Sequence, residues 1–416
     1  MKSTLLAAAC ATLFAGAALP VLAADNVLFQ PAPLTPLKSD RTFEAIAQLD
    51  STGAVDVVLA NAAIVDPASE SLVLPLDIGG PVALTAHRLA ARHNADGTSV
   101  WEGSLAGDAK RARGGAEVDD AANSVILVRN GNRITGSIRV HGQLYAVRPL
   151  TDGRHAVIEV DESRMPQDHD EKAYRRQFEA QQRPTAVTRS TKAETANSTI
   201  RVLVNYTAAA ASATTDMLGL INLAVAESNQ GYANSGVGIT LQLAGTGQVN
   251  YTQKANDIET DLTRYRGASD GYIDTIHAQR DSVTADVGVL LVKPTNACGV
   301  AGLNASAASA YAVVATNCAT GYYSFAHEIG HLLGAHHDPA AGTNSVYAYG
   351  HGYIAPSKAW RTIMAYACSG SLAACTRLNY WSNPNKTYNG VAMGTTAKSN
   401  NARVLNERAA AVAAFR

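Results

Sequence analysis

Residues 324–338 read Ser-Phe-Ala-His-Glu-Ile-Gly-His-Leu-Leu-Gly-Ala-His-His-Asp, and this stretch restricts the fold more than any other. On a helix, positions i and i+4 share one face, so His327 and His331 point the same way and can hold one ion. Glu328 then stands beside that ion without needing to bind it. Gly334 can take the left-handed conformation that ends a helix. The sharp turn after it returns His337 as a third imidazole and leaves one position open for water, as in a catalytic zinc site. Zinc there would lower the pKa of a bound water to about 7, with Glu328 as the general base that later protonates the leaving amine. His336 does not fit the ligand spacing and reads as a surface histidine.

The N-terminus indicates export. Lys2 supplies a positive start, Leu5 to Leu19 is almost wholly apolar, and Val21-Leu22-Ala23 offers a signal-peptidase site after Ala23 or Ala24. The apolar run is too short for a membrane anchor. Cys10 lies inside it with Ala7, rather than Leu, three residues before, which disfavours a lipoprotein. No later segment is apolar and long enough to span a bilayer, so the mature chain is expected to be soluble. Cleavage would leave Cys298, Cys318, Cys368 and Cys375, an even set that suggests two disulfides in an oxidising compartment. Three connectivities exist, and Cys298–Cys318 with Cys368–Cys375 closes the shortest loops. Without a Cys-x-x-Cys pair, cysteine ligation of metal is not expected. A formal net charge of −1 gives no electrostatic argument for a nucleic-acid or anionic-membrane partner.

With 416 residues, 47% of them apolar, the chain is comfortable as two globular domains. From about Thr42 to Val160 apolar and polar residues alternate between turn signals. Ser124–Val128, Asn130-Gly131 and Ile134–Val140 predict a hairpin, and Leu144–Val147 with Ala156–Val160 repeats it across Asp152-Gly153. Residues 161–198 change character: Asp168-His169-Asp170, Arg175-Arg176, then a Gln, Thr, Arg and Lys tract. Such a segment cannot bury enough surface to fold and reads as an exposed, cleavable linker. Beyond it, strands at Ile200–Val204, Val237–Leu243, Val287–Val292 and Ala312–Ala315 alternate with helical pieces at Thr214–Tyr232, Asp257–Arg266 and Tyr272–Arg280. That alternation implies an α/β sheet domain. Asp257, Glu259 and Asp261 lack the glycine and terminal Glu of an EF-hand, so they read as a solvated helix face and calcium is not supported.

The histidine motif resembles the metzincin pattern H-E-x-x-H-x-x-G-x-x-H. Thr362-Ile363-Met364-Ala365-Tyr366 is similar to the methionine turn of that clan, in which the methionine packs beneath the metal ligands. Tyr366 matches the Met-x-Tyr of astacins and serralysins, where the phenol can ligate zinc or stabilise the oxyanion; Asp338 is more like the adamalysin (reprolysin) branch. Tyr349-Gly350-His351-Gly352-Tyr353, Trp360 to Tyr366 and Asn379-Tyr380-Trp381-Ser382-Asn383-Pro384 resemble the bacterial peptidyl-Asp metallopeptidase family. That resemblance covers residues 199–416, and the earlier half looks more loosely like a reprolysin-type propeptide.

The resemblance implies an α/β (α+β) catalytic domain with a mixed twisted sheet and an active-site helix, preceded by a β-rich propeptide domain. The expected division is a signal peptide (1–24), a propeptide (25–198, β-rich over 42–160, linker 161–198) and a catalytic domain (199–416). It also implies a secreted, monomeric zinc endopeptidase, extracellular or periplasmic in transit, that cuts proteins or peptides before acidic residues. An acidic preference needs a cation in the S1′ pocket, walled in metzincins by chain around the methionine turn. Arg361 is the first candidate, then Arg377 and Lys358. His351 reads as a hydrogen-bonded turn residue outside the site. Many reprolysin propeptides place a cysteine on zinc, but none lies between Ala24 and Ser198, so that form of latency is not available. Two alternatives remain, a zinc hydrolase of a non-peptide substrate and a catalytically dead metzincin used for binding. Glu328 argues against the second.

Overall fold

The computed structural model describes residues 26–33, 37, 40–77, 81–105, 122–169, 197–342, 345–368 and 375–416. The expected signal peptide and most of the linker lie outside the described residues.

The alternating N-terminal half forms one nine-stranded antiparallel sheet. Its strands are β1 (Phe29–Pro31), β2 (Thr52–Ala60), β3 (Ser71–Asp77), β4 (Pro81–His93), β5 (Ser99–Ser104), β6 (Ser124–Asn130), β7 (Arg133–Val140), β8 (Gln143–Pro149) and β9 (His155–Val160). The spatial order β1-β2-β9-β8-β7-β6-β5-β4-β3 nearly closes on itself, because Val27 bridges Val73 and the Leu28 N–H donates to the Val73 carbonyl. Leu74, Trp101, Leu127, Ile134 and Val147 fill the interior of this near-barrel. Both expected hairpins are present, the first turning at Gly131 with φ 63°. Within the expected β-rich half, Arg41–Ala47 is a short helix, capped by the Asp40 carboxylate on the Phe43 N–H.

The second half is a mixed α+β unit around five strands: β10 (Ser198–Thr207), β11 (Ile239–Val249), β12 (Val287–Val292), β13 (Gly299–Ala301) and β14 (Tyr311–Ala315). Their order is β11-β10-β12-β14-β13, parallel throughout except for the short edge strand β13. The unbroken apolar run of β12 follows from its central place, since side chains on both faces are buried. On one face lie the long helix Met217–Ser235, the helix Ser324–Leu332 and the C-terminal helix Asn401–Val412. Ile258–Arg266 and Ile276–Ser282 cover the other. The carboxylate of Asp261, expected on a solvated face, is buried and accepts from the Tyr251 hydroxyl and the Lys254 N–H. No helix among the described residues is long and apolar enough to cross a membrane.

The two halves share an apolar contact in which Val100, Ile126 and Val128 meet Leu223 and Ala226 of the long helix. A buried arginine reinforces it. Arg139 of β7 donates to the Tyr323 hydroxyl and the Gly321 carbonyl, just ahead of the helix Ser324–Leu332, while pairing with Glu162.

Candidate active site

Helical spacing does what the sequence requires of it. Helix Ser324–Leu332 is buried along its whole length, and the His327 and His331 ring centroids lie 4.7 Å apart. The helix then stops. Gly334 takes φ 96°, and a Cβ there would meet the Tyr347 ring at 2.9 Å, so glycine is required both for the turn and for space. The returning chain brings His337 back, and the three Nε2 atoms converge at 3.0, 3.1 and 3.3 Å from one another.

This geometry is a test of metal fit. His331 Nδ1 lies 2.8 Å from the Ala335 carbonyl and His327 Nδ1 lies 3.0 Å from that of Ile363. With Nδ1–H donating to those carbonyls, the Nε2 lone pairs face one another. Burial drives His327 down to about 4 and His331 and His337 well below the usual imidazole value, so protons do not bridge them. Converging lone pairs call for a cation, and tetrahedral bonds of about 2.0–2.1 Å place nitrogens about 3.3 Å apart. The donor set fits a metal such as zinc. Arg377 Nη2 also approaches His327 Nδ1, at 2.7 Å, but a metal on Nε2 selects the tautomer that donates to Ile363.

Glu328 is fully buried beside this cluster and packs against the edge strand, where a Cβ on Gly299 would come within 2.6 Å of its Oε1. Met364 is fully buried beneath the helix. A Cβ on Gly330, directly before His331, would meet its sulfur at 3.0 Å and the Trp381 ring at 2.7 Å. The Tyr366 ring stacks obliquely on His337 with centroids 4.0 Å apart. Asp338 accepts from the Tyr366 N–H at 3.0 Å, which ties the third histidine to the methionine turn. The expected disulfides Cys298–Cys318 and Cys368–Cys375 are both formed.

Two expectations are corrected here. His336 is not on the surface. It is buried, accepts from the His337 N–H at 2.9 Å and packs on His351, whose Nδ1 lies 2.8 Å from the His337 carbonyl. Nor is the start of the linker solvated. Met165 joins the apolar cluster of Cys298, Val300 and Tyr322, and Asp168 and His169 are buried in the site. The N–H groups of Cys298 and Gly299 donate to the Gln167 and Asp168 carbonyls at 2.8 and 2.9 Å, which lays this segment along β13. A nitrogen of His169 groups with those of His331 and His337 within 4.8 Å, and its carbonyl accepts from the Tyr366 hydroxyl at 2.7 Å.

The three candidate cations separate clearly. Lys358 is exposed on a turn. Arg361 is buried and spends its Nη groups on the Ala365 carbonyl and the Tyr322 hydroxyl. Arg377 is fully buried, with Nη2 2.9 Å from Asp168 Oδ2. Burial pushes the Asp168 carboxyl up, but Arg377 outweighs it and holds the group well below the ordinary carboxylate range. Sequence reasoning missed Asp168, His169, Ser324 and Gly299. The one available signal was the Asp168-His169-Asp170 cluster, whose polarity argued for solvent.

Comparison with known proteins agrees with this arrangement. The metallo-peptidase family M12 profile Reprolysin_5 matches residues 196–382. A peptidyl-Asp metalloendopeptidase of Stenotrophomonas maltophilia is 51% identical over 77% of this chain and 78% of its own. Its counterpart in Xanthomonas campestris is 46% identical over 95% of both chains. The chain belongs to the peptidyl-Asp metalloendopeptidase family. Another member, from Pseudomonas fragi, is 44% identical and aligns along its full length with 46% of this chain. As a peptidyl-Asp metalloendopeptidase family member the protein is a metal-dependent endopeptidase, and the non-peptidase and dead-enzyme alternatives are not favoured.

Proposed function

We propose that the protein is a secreted zinc endopeptidase that cleaves peptide bonds on the amino side of Asp and Glu, made with a signal peptide (1–24) and a propeptide (25–198). The observation that carries the reading is the convergence of three Nε2 atoms beside the buried Glu328. His327, His331 and His337 would hold the ion. A zinc ion there supplies a Lewis acid for the scissile carbonyl and an acidified water. Glu328 takes the proton of the attacking water and returns it to the leaving amine, which the confinement of its carboxylate by Gly299 favours. Tyr366, once its hydroxyl leaves the His169 carbonyl, donates to the developing oxyanion. The N–H groups of Cys298 and Gly299 on the edge strand hydrogen-bond an extended substrate backbone. The acidic preference follows the names of the relatives and the two buried arginines, Arg361 and Arg377, of the site wall.

Casein digestion by the processed enzyme, with and without a chelator, tests the peptidase reading together with metal analysis. Mass spectrometry of peptides released from a proteome digest tests the specificity. Undiminished cleavage in chelator, or a residue spectrum without Asp and Glu after the cut, overturns the corresponding part.

A further inference from the structure

We infer that the Asp168–His169 dipeptide is an internal pseudosubstrate whose aspartate fills the subsite for the acidic side chain of a substrate, and that Arg377 is the residue that reads that side chain. The inference rests on the endopeptidase reading and deepens it.

Arg377 is fixed by contacts other than Asp168. Arg377 donates through Nε to the Ile363 carbonyl at 2.9 Å and through Nη1 to the Tyr322 carbonyl at 2.9 Å. These bonds tie the guanidinium to the turn before Met364 and to the residue two before Ser324. On the other side Nη2, which also contacts the Ile363 carbonyl, meets Asp168 Oδ2 at 2.9 Å, and Nη1 meets Oδ1 at 3.4 Å. Ser324, the first residue of the active-site helix, donates its hydroxyl to Oδ1 at 2.6 Å. A planar fork and a hydroxyl around one carboxylate make a recognition geometry for an acid, which a neutral amide does not reproduce.

Charge makes the same point. Among the described residues the only ion pair of Arg377 is with Asp168. When the segment departs, a fully buried cation loses its counter-charge, and the carboxylate of an incoming peptide restores it. Among the described residues Arg361 makes no ion pair with Asp168; its Nη groups donate to the Ala365 carbonyl and the Tyr322 hydroxyl.

The rest of the segment occupies the place of a substrate. Its backbone takes the edge-strand donors of Cys298 and Gly299, and the His169 ring centroid lies 5.0 Å from His337 and 5.6 Å from His331. His169 also holds the Tyr366 hydroxyl through its carbonyl. Edge strand, acid pocket and catalytic groups are thus covered together, which accounts for latency in a chain without a propeptide cysteine.

The test uses the full-length, zinc-loaded chain with Glu328→Gln, so that nothing is cut. Two fluorescent peptides, alike except for a central Asp or Asn, are titrated by anisotropy. The parent should bind both weakly. Asp168→Ala/His169→Ala should bind the Asp peptide about tenfold or more tightly than the Asn peptide, the scale of a charge-assisted contact against a neutral one. Adding Arg377→Gln should erase that preference, and Arg377→Lys should restore part of it. Circular dichroism melts check that each variant folds, and the Asp168 variants decide the matter if the Arg377 variants do not fold. No gain in binding over the parent overturns the pseudosubstrate. An equal gain for both peptides overturns the acid pocket. Failure of the peptidase reading is distinguishable, because it appears as chelator-insensitive casein cleavage by the processed wild type. Cobalt(II) in place of zinc gives a second readout: His169→Ala should shift the visible spectrum, and an unchanged spectrum removes His169 from the metal's surroundings.

Discussion

Gly299 on the edge strand and Glu328 on the active-site helix lie so close that an added Cβ would sit 2.6 Å from Oε1 and 2.7 Å from Cγ of the glutamate. Glycine at this point fixes where the general base can stand. Gly299→Ala should therefore lower kcat by about 100-fold, the usual cost of a misplacement near 1 Å. Steady-state kinetics on a peptide substrate checks it, and wild-type kcat in a folded variant would refute the placement.

Glu328→Gln should keep its metal, by elemental analysis, and lose about 10²–10⁴-fold in turnover. His327→Ala, His331→Ala and His337→Ala should each lose the metal itself, because three protein ligands are the minimum for a tight catalytic site. A Glu328→Gln enzyme of normal activity would remove the residue from the chemistry.

The histidine triad and Met364 were legible because they are local. A helix places i and i+4 together, a glycine turns the chain, and a short motif reports the turn beneath. Strand β12 and both N-terminal hairpins were legible for the same reason, through period and turn residues. Asp168 and His169 were not. Their partners Arg377 and Tyr366 lie 209 and 197 residues away, and nothing local says that a polar run is buried. His336 misled in the same way, since its burial comes from Gly350 to Gly352 folding back over it. Among the cations, charge and nearness to Met364 favoured Arg361. The tertiary structure shows its Nη groups held by the Ala365 carbonyl and the Tyr322 hydroxyl, away from Asp168.

Glu227 on the long helix gives a pH dependence away from the metal site. Burial raises its carboxyl to about 7, against the Gly321 N–H and the positive field of Arg148 and Arg139, which pull it down. An unfolded glutamate titrates near about 4.3, so between that pH and about 7 the folded chain holds a proton the unfolded chain has released. Stability should fall as pH rises through this window. Glu227→Gln should flatten the curve of unfolding midpoint against pH and stand above the wild type at its alkaline end, on the order of 1–3 kcal/mol. Parallel curves for the two proteins would exclude Glu227 as the source.

The two disulfides should contribute unequally. Cys298–Cys318 closes 20 residues and Cys368–Cys375 closes 7. Loop entropy assigns them about 3 and about 2 kcal/mol. Denaturant titration of the paired Cys→Ala variants should show the larger loss for Cys298 and Cys318, and the reverse order would show that strain or residual structure governs instead.

His169 precedes residues 170–196, so a chain break in that stretch leaves the blocking dipeptide joined to the N-terminal near-barrel. That unit still grips its neighbour through Arg139 on Gly321 and Tyr323 and through Leu223 and Ala226. A nick alone converts the protein into a two-piece complex, and emergence of the free enzyme becomes a matter of mass action. If the dipeptide blocks the site as inferred, nicked material should stay inactive when concentrated and gain activity on dilution. On the same reading, a further cut inside the near-barrel would remove the rebinding partner and make the release irreversible.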